Sequence, residues 1–158
     1  RGGSFDWWDG GAMAALKLPA LTLALLLAGV TAANADQSFA TAIGAYLAAE
    51  PIENLRIQPG ALSDDPRDDF YFVVDVRAED QFAHGHIAGA VNIPYSRLVQ
   101  RLGDLPSDPS TPILLYCENA QRSTQAVMAL SLLGYPSVYY LMGGLKRWQD
   151  EGRPLETP

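Results

Sequence analysis

The sequence predicts an α/β fold: a five-stranded parallel sheet flanked by helices on both faces. Phe70–Val76 is a continuous apolar run rich in aromatic and β-branched residues, and Pro112–Tyr116 is a second apolar run. Such runs mark strands buried on both faces. Strand-like and helix-like segments alternate along the chain, which calls for parallel pairing through crossovers. The composition, 48% hydrophobic and 18% charged over 158 residues, is that of one globular domain with an ordinary core.

Taken in order, Ser38 to Glu50 places Phe39, Ile43, Tyr46 and Leu47 at helical spacing, with Ser38 as the expected cap and Pro51 as the stop. Leu55–Ile57 is a short first strand. Pro59 to Asp69 holds two prolines and a glycine and reads as a loop. The Phe70–Val76 strand leads to a short helix over Glu79–Ala83. Ala90–Ile93 is a strand stopped by Pro94. Ser96 to Leu102 is expected to be a helix capped by Ser96 and ended by Gly103. The Pro112–Tyr116 strand is followed by a polar loop and a helix from Arg122 to Leu133, ended by Gly134. Val138–Leu141 is the last strand, and Gly143-Gly144 opens a final helix through Asp150.

The amino-terminal part reads differently. Residues 1–12 match no recognisable element. From Met13, Lys17 supplies a basic region and Leu18–Val30 an apolar run of 13 residues, followed by Ala33-Asn34-Ala35. A run shorter than the roughly 20 residues of a spanning helix, ending in small residues, reads as a secretory signal over 13–35. The expected product is an exported, periplasmic or secreted domain over residues 36–158, with no membrane attachment after cleavage.

Net charge is −7, from 11 Lys/Arg and 18 Asp/Glu. The leader carries Arg1 and Lys17 against Asp6 and Asp9, so the remainder is also −7. An acidic body without basic runs argues against nucleic-acid binding. A single cysteine excludes an internal disulfide and an all-cysteine metal site. His84-Gly85-His86 offers two histidines and no third ligand nearby, so no metal and no cofactor are expected. Asp75 and Arg77 read as a tie between a strand end and neighbouring loops. Trp148, three residues after Leu145 on a helix, reads as core.

The cysteine sits in the most informative segment, Leu114-Leu115-Tyr116-Cys117-Glu118-Asn119-Ala120-Gln121-Arg122-Ser123-Thr124. Cys117 lies where a buried strand exits and a helix soon begins. A loop curling there directs backbone N–H groups and a helix N-terminus at the sulfur, which favours the thiolate. Arg122 adds a permanent positive charge. This is an anion cradle with a nucleophile at its floor. Cysteine phosphatases place their arginine six residues after the cysteine; here Arg122 is five residues after Cys117, and the tighter ring suits one added sulfur atom better than a phosphoryl group.

Four ordered motifs show that the chain resembles the rhodanese family over about Phe70 to Pro154. They are Asp75-Val76-Arg77 with Glu79 and Phe82; Gly85-His86-Ile87-Ala88-Gly89-Ala90-Val91-Asn92-Ile93-Pro94; the Cys117–Arg122 loop with Ser123; and Gly143-Gly144 with Trp148, Gly152 and Pro154. The resemblance implies a thiosulfate sulfurtransferase. Cys117 would carry sulfur as a persulfide, with Glu118, Asn119, Ala120, Gln121, Arg122 and Ser123 binding substrate. The donor would be a small molecule such as thiosulfate, and the acceptor cyanide or a thiol. Ala120 stands where the family often has glycine, so strain is expected there. Glu118 beside the sulfur is expected to oppose the thiolate and repel anionic donors, which predicts slow turnover with thiosulfate or preference for another donor. The alternative is a rhodanese-like module that carries or presents sulfur without turnover.

Overall fold

The computed structural model describes residues 35–49 and 55–157. Residues 35–48 form helix α1. Ser38 lies inside it rather than capping it, and its Oγ donates to the Ala35 carbonyl at 2.8 Å. The leader elements over 1–34 lie outside the described residues. No helix among the described residues is long and apolar enough to cross a membrane.

Five strands make the sheet: β1 (Arg56–Ile57), β2 (Phe72–Asp75), β3 (Val91–Asn92), β4 (Ile113–Tyr116) and β5 (Val138–Leu141). Their spatial order is β1-β5-β4-β2-β3, and every neighbouring pair is parallel. Helices α2 (Glu79–Ala83), α3 (Gln121–Leu132) and α4 (Gly144–Asp150) complete the domain. The α/β class and the five parallel strands are as the sequence predicts.

Period-two alternation along the strands builds two cores, because successive side chains point to opposite faces. Val74, Ile113, Leu115 and Val138 face α3, where Ala126, Val127 and Leu130 cover them with Leu98 and Leu105. Val73, Leu114, Tyr116 and Leu141 face the other side, under Leu145 and Trp148 of α4 with Leu62 and Ile87. Trp148 is fully buried, and its Nε1 donates to the Pro154 carbonyl at 2.8 Å. It is core, as its spacing implies.

Two expectations need correction. Ser96–Leu102 is not an α-helix; two short 3-10 segments, Tyr95–Arg97 and Val99–Asp104, take its place. Seven residues gain few i→i−4 bonds against the cost of nucleation. Leu98 is pinned in the core between the two segments, and Arg101 leaves helical geometry while its side chain reaches the Asn92 carbonyl at 3.2 Å. Phe70 is not in the strand either. Phe70 N donates to Arg67 O at 3.0 Å and Tyr71 N to Pro66 O at 3.2 Å, closing a turn. That turn holds Phe70 at φ 67 and leaves it 84% exposed.

Candidate active site

The sheet topology selects the site. From β2 the chain moves outward to β3, whereas from β4 it moves the other way to β5. The adjacent carboxyl ends of β2 and β4 therefore diverge, and a crevice opens at such a switch point. A recess of about 180 Å³ lies there, with Cys117 from the β4 exit and Arg77 and Gln81 from the β2 exit among its lining residues.

The β4 side supplies the nucleophile. Cys117 follows Tyr116 directly and is 2% exposed. Glu118, Asn119, Gln121 and Arg122 line the same recess. The chain turns back at Ala120, which adopts φ 72 and ψ −9 as the residue before α3. This left-handed conformation is the one that disfavours a Cβ, as the sequence predicts. Asn119 Oδ1 accepts from Gln121 N at 3.3 Å. Ser123 is buried behind the sulfur; its Oγ lies 3.8 Å from Cys117 Sγ and donates to the Ala120 carbonyl at 3.1 Å. The backbone N–H groups of Glu118, Asn119, Ala120, Arg122 and Ser123 have no hydrogen-bond acceptor among the described residues. Donors concentrated in one loop, at the start of a 12-residue helix, favour an anion.

The carbonyls of the loop are held from the other side. Cys117 O accepts from Leu145 N at 2.8 Å and Glu118 O from Lys146 N at 3.0 Å. The first turn of α4 thus clamps the loop by its oxygens and leaves its N–H groups available. The clamp needs close approach: a Cβ on Gly144 would sit 2.4 Å from Cys117 O, and Gly144 has φ +64.

The β2 side supplies an ion network. Asp75 is fully buried and accepts from Arg77 N, Nε and Nη2, the last at 2.6 Å. Arg77 Nη2 also donates to Gly85 O at 2.7 Å. Burial opposes the charge on Arg77, but the Asp75 carboxylate outweighs it and holds the guanidinium pKa above its ordinary value. Burial likewise pushes the neighbouring Tyr116 hydroxyl above its ordinary range. Arg77 Nη1 lies 3.6 Å from Glu118 Oε2, whose side chain is about half exposed. Arg122 is exposed and has no ion-pair partner among the described residues.

A buried thiol in a donor-rich loop, at the switch point of a five-stranded parallel sheet, is the arrangement the sequence motifs imply. The family model for the rhodanese-like domain matches residues 59–151. The chain belongs to the rhodanese-like family. Among curated relatives, this rhodanese-like chain is 43% identical over 76 residues to the uncharacterized protein YqhL of Bacillus subtilis, covering 48% of this chain and 59% of that one. It is 36% identical over 73 residues to the thiosulfate sulfurtransferase PspE of Escherichia coli, covering 46% and 69%. The solved rhodanese-related protein of Thermoplasma volcanium matches with a TM-score of 0.58 and 31% identity, over 65% of this chain and 98% of that one. The chain spans 59% and 55% of the length of YqhL and of slr1261 from Synechocystis.

The structure therefore brings Cys117, Glu118, Asn119, Gln121 and Arg122 to one recess of this rhodanese-like domain, with Ala120 and Ser123 buried behind it. Reading the sequence for site residues misses Arg77 and Gln81. Arg77 is the structural tie it appears to be, yet it also forms one wall. Both follow the buried β2 strand in the sequence, but that β2 lies beside β4 is shown only by the structure. His84, exposed, and His86, buried, each face a local carbonyl: His84 Nδ1 lies 2.5 Å from Asp80 O, and His86 Nδ1 lies 3.1 Å from Phe82 O with its ring stacked on Phe82 at 3.8 Å.

Proposed function

We propose that this protein moves sulfane sulfur through a persulfide on Cys117. The observation that carries the reading is a buried cysteine in a recess where Arg122 and the loop N–H groups other than that of Gln121 have no partner among the described residues. The Cys117 thiolate attacks the outer sulfur of a donor such as thiosulfate. A new S–S bond forms, the donor's S–S bond breaks, and its electron pair leaves with sulfite. An acceptor thiolate or cyanide then attacks the outer sulfur, forms its own bond to it, and returns the electron pair to Cys117 as thiolate.

Each site residue has a role in this chemistry. Loop N–H groups stabilise the thiolate and the negative charge of the donor. Arg122 binds the donor's anionic end. Asn119, Gln121 and Ser123 shape the cradle, and Glu118 biases it against dianions. No second cysteine exists in the chain, so the sulfur leaves to an external acceptor. The strained Ala120 also suits the alternative reading, a sulfur-carrying module that loads but turns over poorly.

Thiocyanate formation from thiosulfate and cyanide tests the proposal. Turnover by the wild type and its loss in Cys117→Ser are expected. Turnover retained by Cys117→Ser would overturn it, and loading without turnover would favour the carrier. We propose export as well, on the apolar run before Ala33-Asn34-Ala35. Amino-terminal sequencing from the native host should find Asp36 first; a mature chain retaining Leu21–Leu27 would refute it.

A further inference from the structure

The residues lining the recess at Cys117 carry charges of both signs: Arg77 and Arg122 against Glu118. The fully buried Asp75 and the lining residue Glu118 share the single guanidinium of Arg77. Arg77 is committed first to Asp75, at 2.6 Å against 3.6 Å for Glu118. Two carboxylates on one cation leave a full negative charge, and the exposed member is Glu118. Lys146 donates its backbone N–H to Glu118 O, but its ammonium is held by Asp150 at 2.8 Å. Arg122, also a lining residue, carries a positive charge that no carboxylate among the described residues balances. The other side chains lining the recess beside Cys117 are the neutral amides of Gln81, Asn119 and Gln121.

A dianionic ligand is matched by Arg122 and opposed by Glu118. A zwitterion matches both. Resting on the sulfur-transfer reading above, we infer that the acceptor is a small zwitterionic thiol, an amino-acid-like molecule, and that Glu118 is the residue that selects it. Its carboxylate sits against Arg122, its ammonium against Glu118, and its sulfur over Cys117. A recess of about 180 Å³ suits a small ligand rather than an extended one. The acceptor thiol loses its proton to solvent and its thiolate attacks the outer sulfur of the Cys117 persulfide. The acceptor S–S bond forms, the Cys117 S–S bond breaks, and the products are the acceptor's persulfide and the Cys117 thiolate. Glu118 therefore specifies the acceptor while remaining unfavourable to a dianionic donor.

The test loads Cys117 with thiosulfate or inorganic polysulfide and follows single-turnover discharge by cysteine and by 3-mercaptopropionate, which lacks the ammonium. The readout is the ratio of the two second-order rates, compared between wild type, Glu118→Gln and Glu118→Arg. Intrinsic thiol reactivity cancels in that comparison. The cysteine preference should fall about tenfold in Glu118→Gln, the size of one lost charge-assisted contact, and further in Glu118→Arg. If both variants load sulfur and keep the wild-type ratio, Glu118 does not select the acceptor, while sulfur transfer itself stands. If the wild type takes up sulfur from neither donor, the sulfur-transfer reading fails and this inference falls with it.

Discussion

Arg77 and Arg122 stand at the exits of adjacent parallel strands, on the same edge of the sheet, and do opposite things. Arg77 is buried, engaged by Asp75 and the Gly85 carbonyl, and holds the β2 exit to the turn before β3. Arg122 is exposed at the mouth of the Cys117 loop and has no ion-pair partner among the described residues. The same side chain is architecture where its donors are satisfied by the protein and chemistry where they are not. A buried ion pair contributes little net stability by itself, but losing one partner strands the other charge. An unengaged surface arginine costs the fold almost nothing to remove.

The sharpest way to break the comparison is at Asp75. Asp75→Ala leaves Arg77 buried without its carboxylate and should lower stability by about 3–5 kcal/mol in urea denaturation. A loss under about 1 kcal/mol would mean that the β2 exit does not depend on the pair. Arg122→Ala should do the reverse. Stability should change by no more than about 0.5 kcal/mol, while kcat/KM for thiosulfate falls roughly ten- to a hundredfold, as expected for losing a charged hydrogen-bond donor. Parallel losses of stability and activity would make Arg122 a second architectural arginine.

The loop between the two exits yields smaller effects. Gly144→Ala puts a Cβ against the backbone of Cys117 and Glu118, which cannot move aside as a flexible side chain would. A cost of about 1–3 kcal/mol is expected, with loss of activity through the displaced loop. Unchanged sulfur transfer in this variant would show that the α4 clamp does not set the cradle. Ala120→Gly should stabilise by about 1 kcal/mol by relieving the left-handed strain at φ 72. A neutral or negative change in melting temperature would mean that the loop relaxes around Ala120.

Much of this organisation was legible in the chain itself. The apolar run ending at Tyr116 located the central strand, and that strand placed Cys117 at its exit. Ala120 was marked for strain by the resemblance, because it stands where the rhodanese family often has glycine. Tertiary context decided the rest. Phe70 looks like strand by composition, but its backbone hydrogen bonds make it a turn. Ser96 and Gly103 bracket Ser96–Leu102 as a helix, yet a buried Leu98 and the reach of Arg101 to Asn92 hold it in 3-10 geometry. Arg77 and Gln81 escaped notice as pocket residues because neither periodicity nor spacing reveals which strand lies beside β4. The partial neutralisation of Glu118 by Arg77 was hidden for the same reason, since the two meet only across the β2–β4 boundary.

The most direct measurement is the intact mass of the full protein after incubation with thiosulfate and removal of excess donor. The wild type should gain the mass of one sulfur atom, because the lone thiol has no partner in the chain to resolve it. Cyanide should then return the protein to its starting mass. Cys117→Ser, folded as judged by circular dichroism, should gain nothing. A wild type that stays at its starting mass with every donor tried would contradict sulfur transfer through Cys117, as would an equal gain in Cys117→Ser.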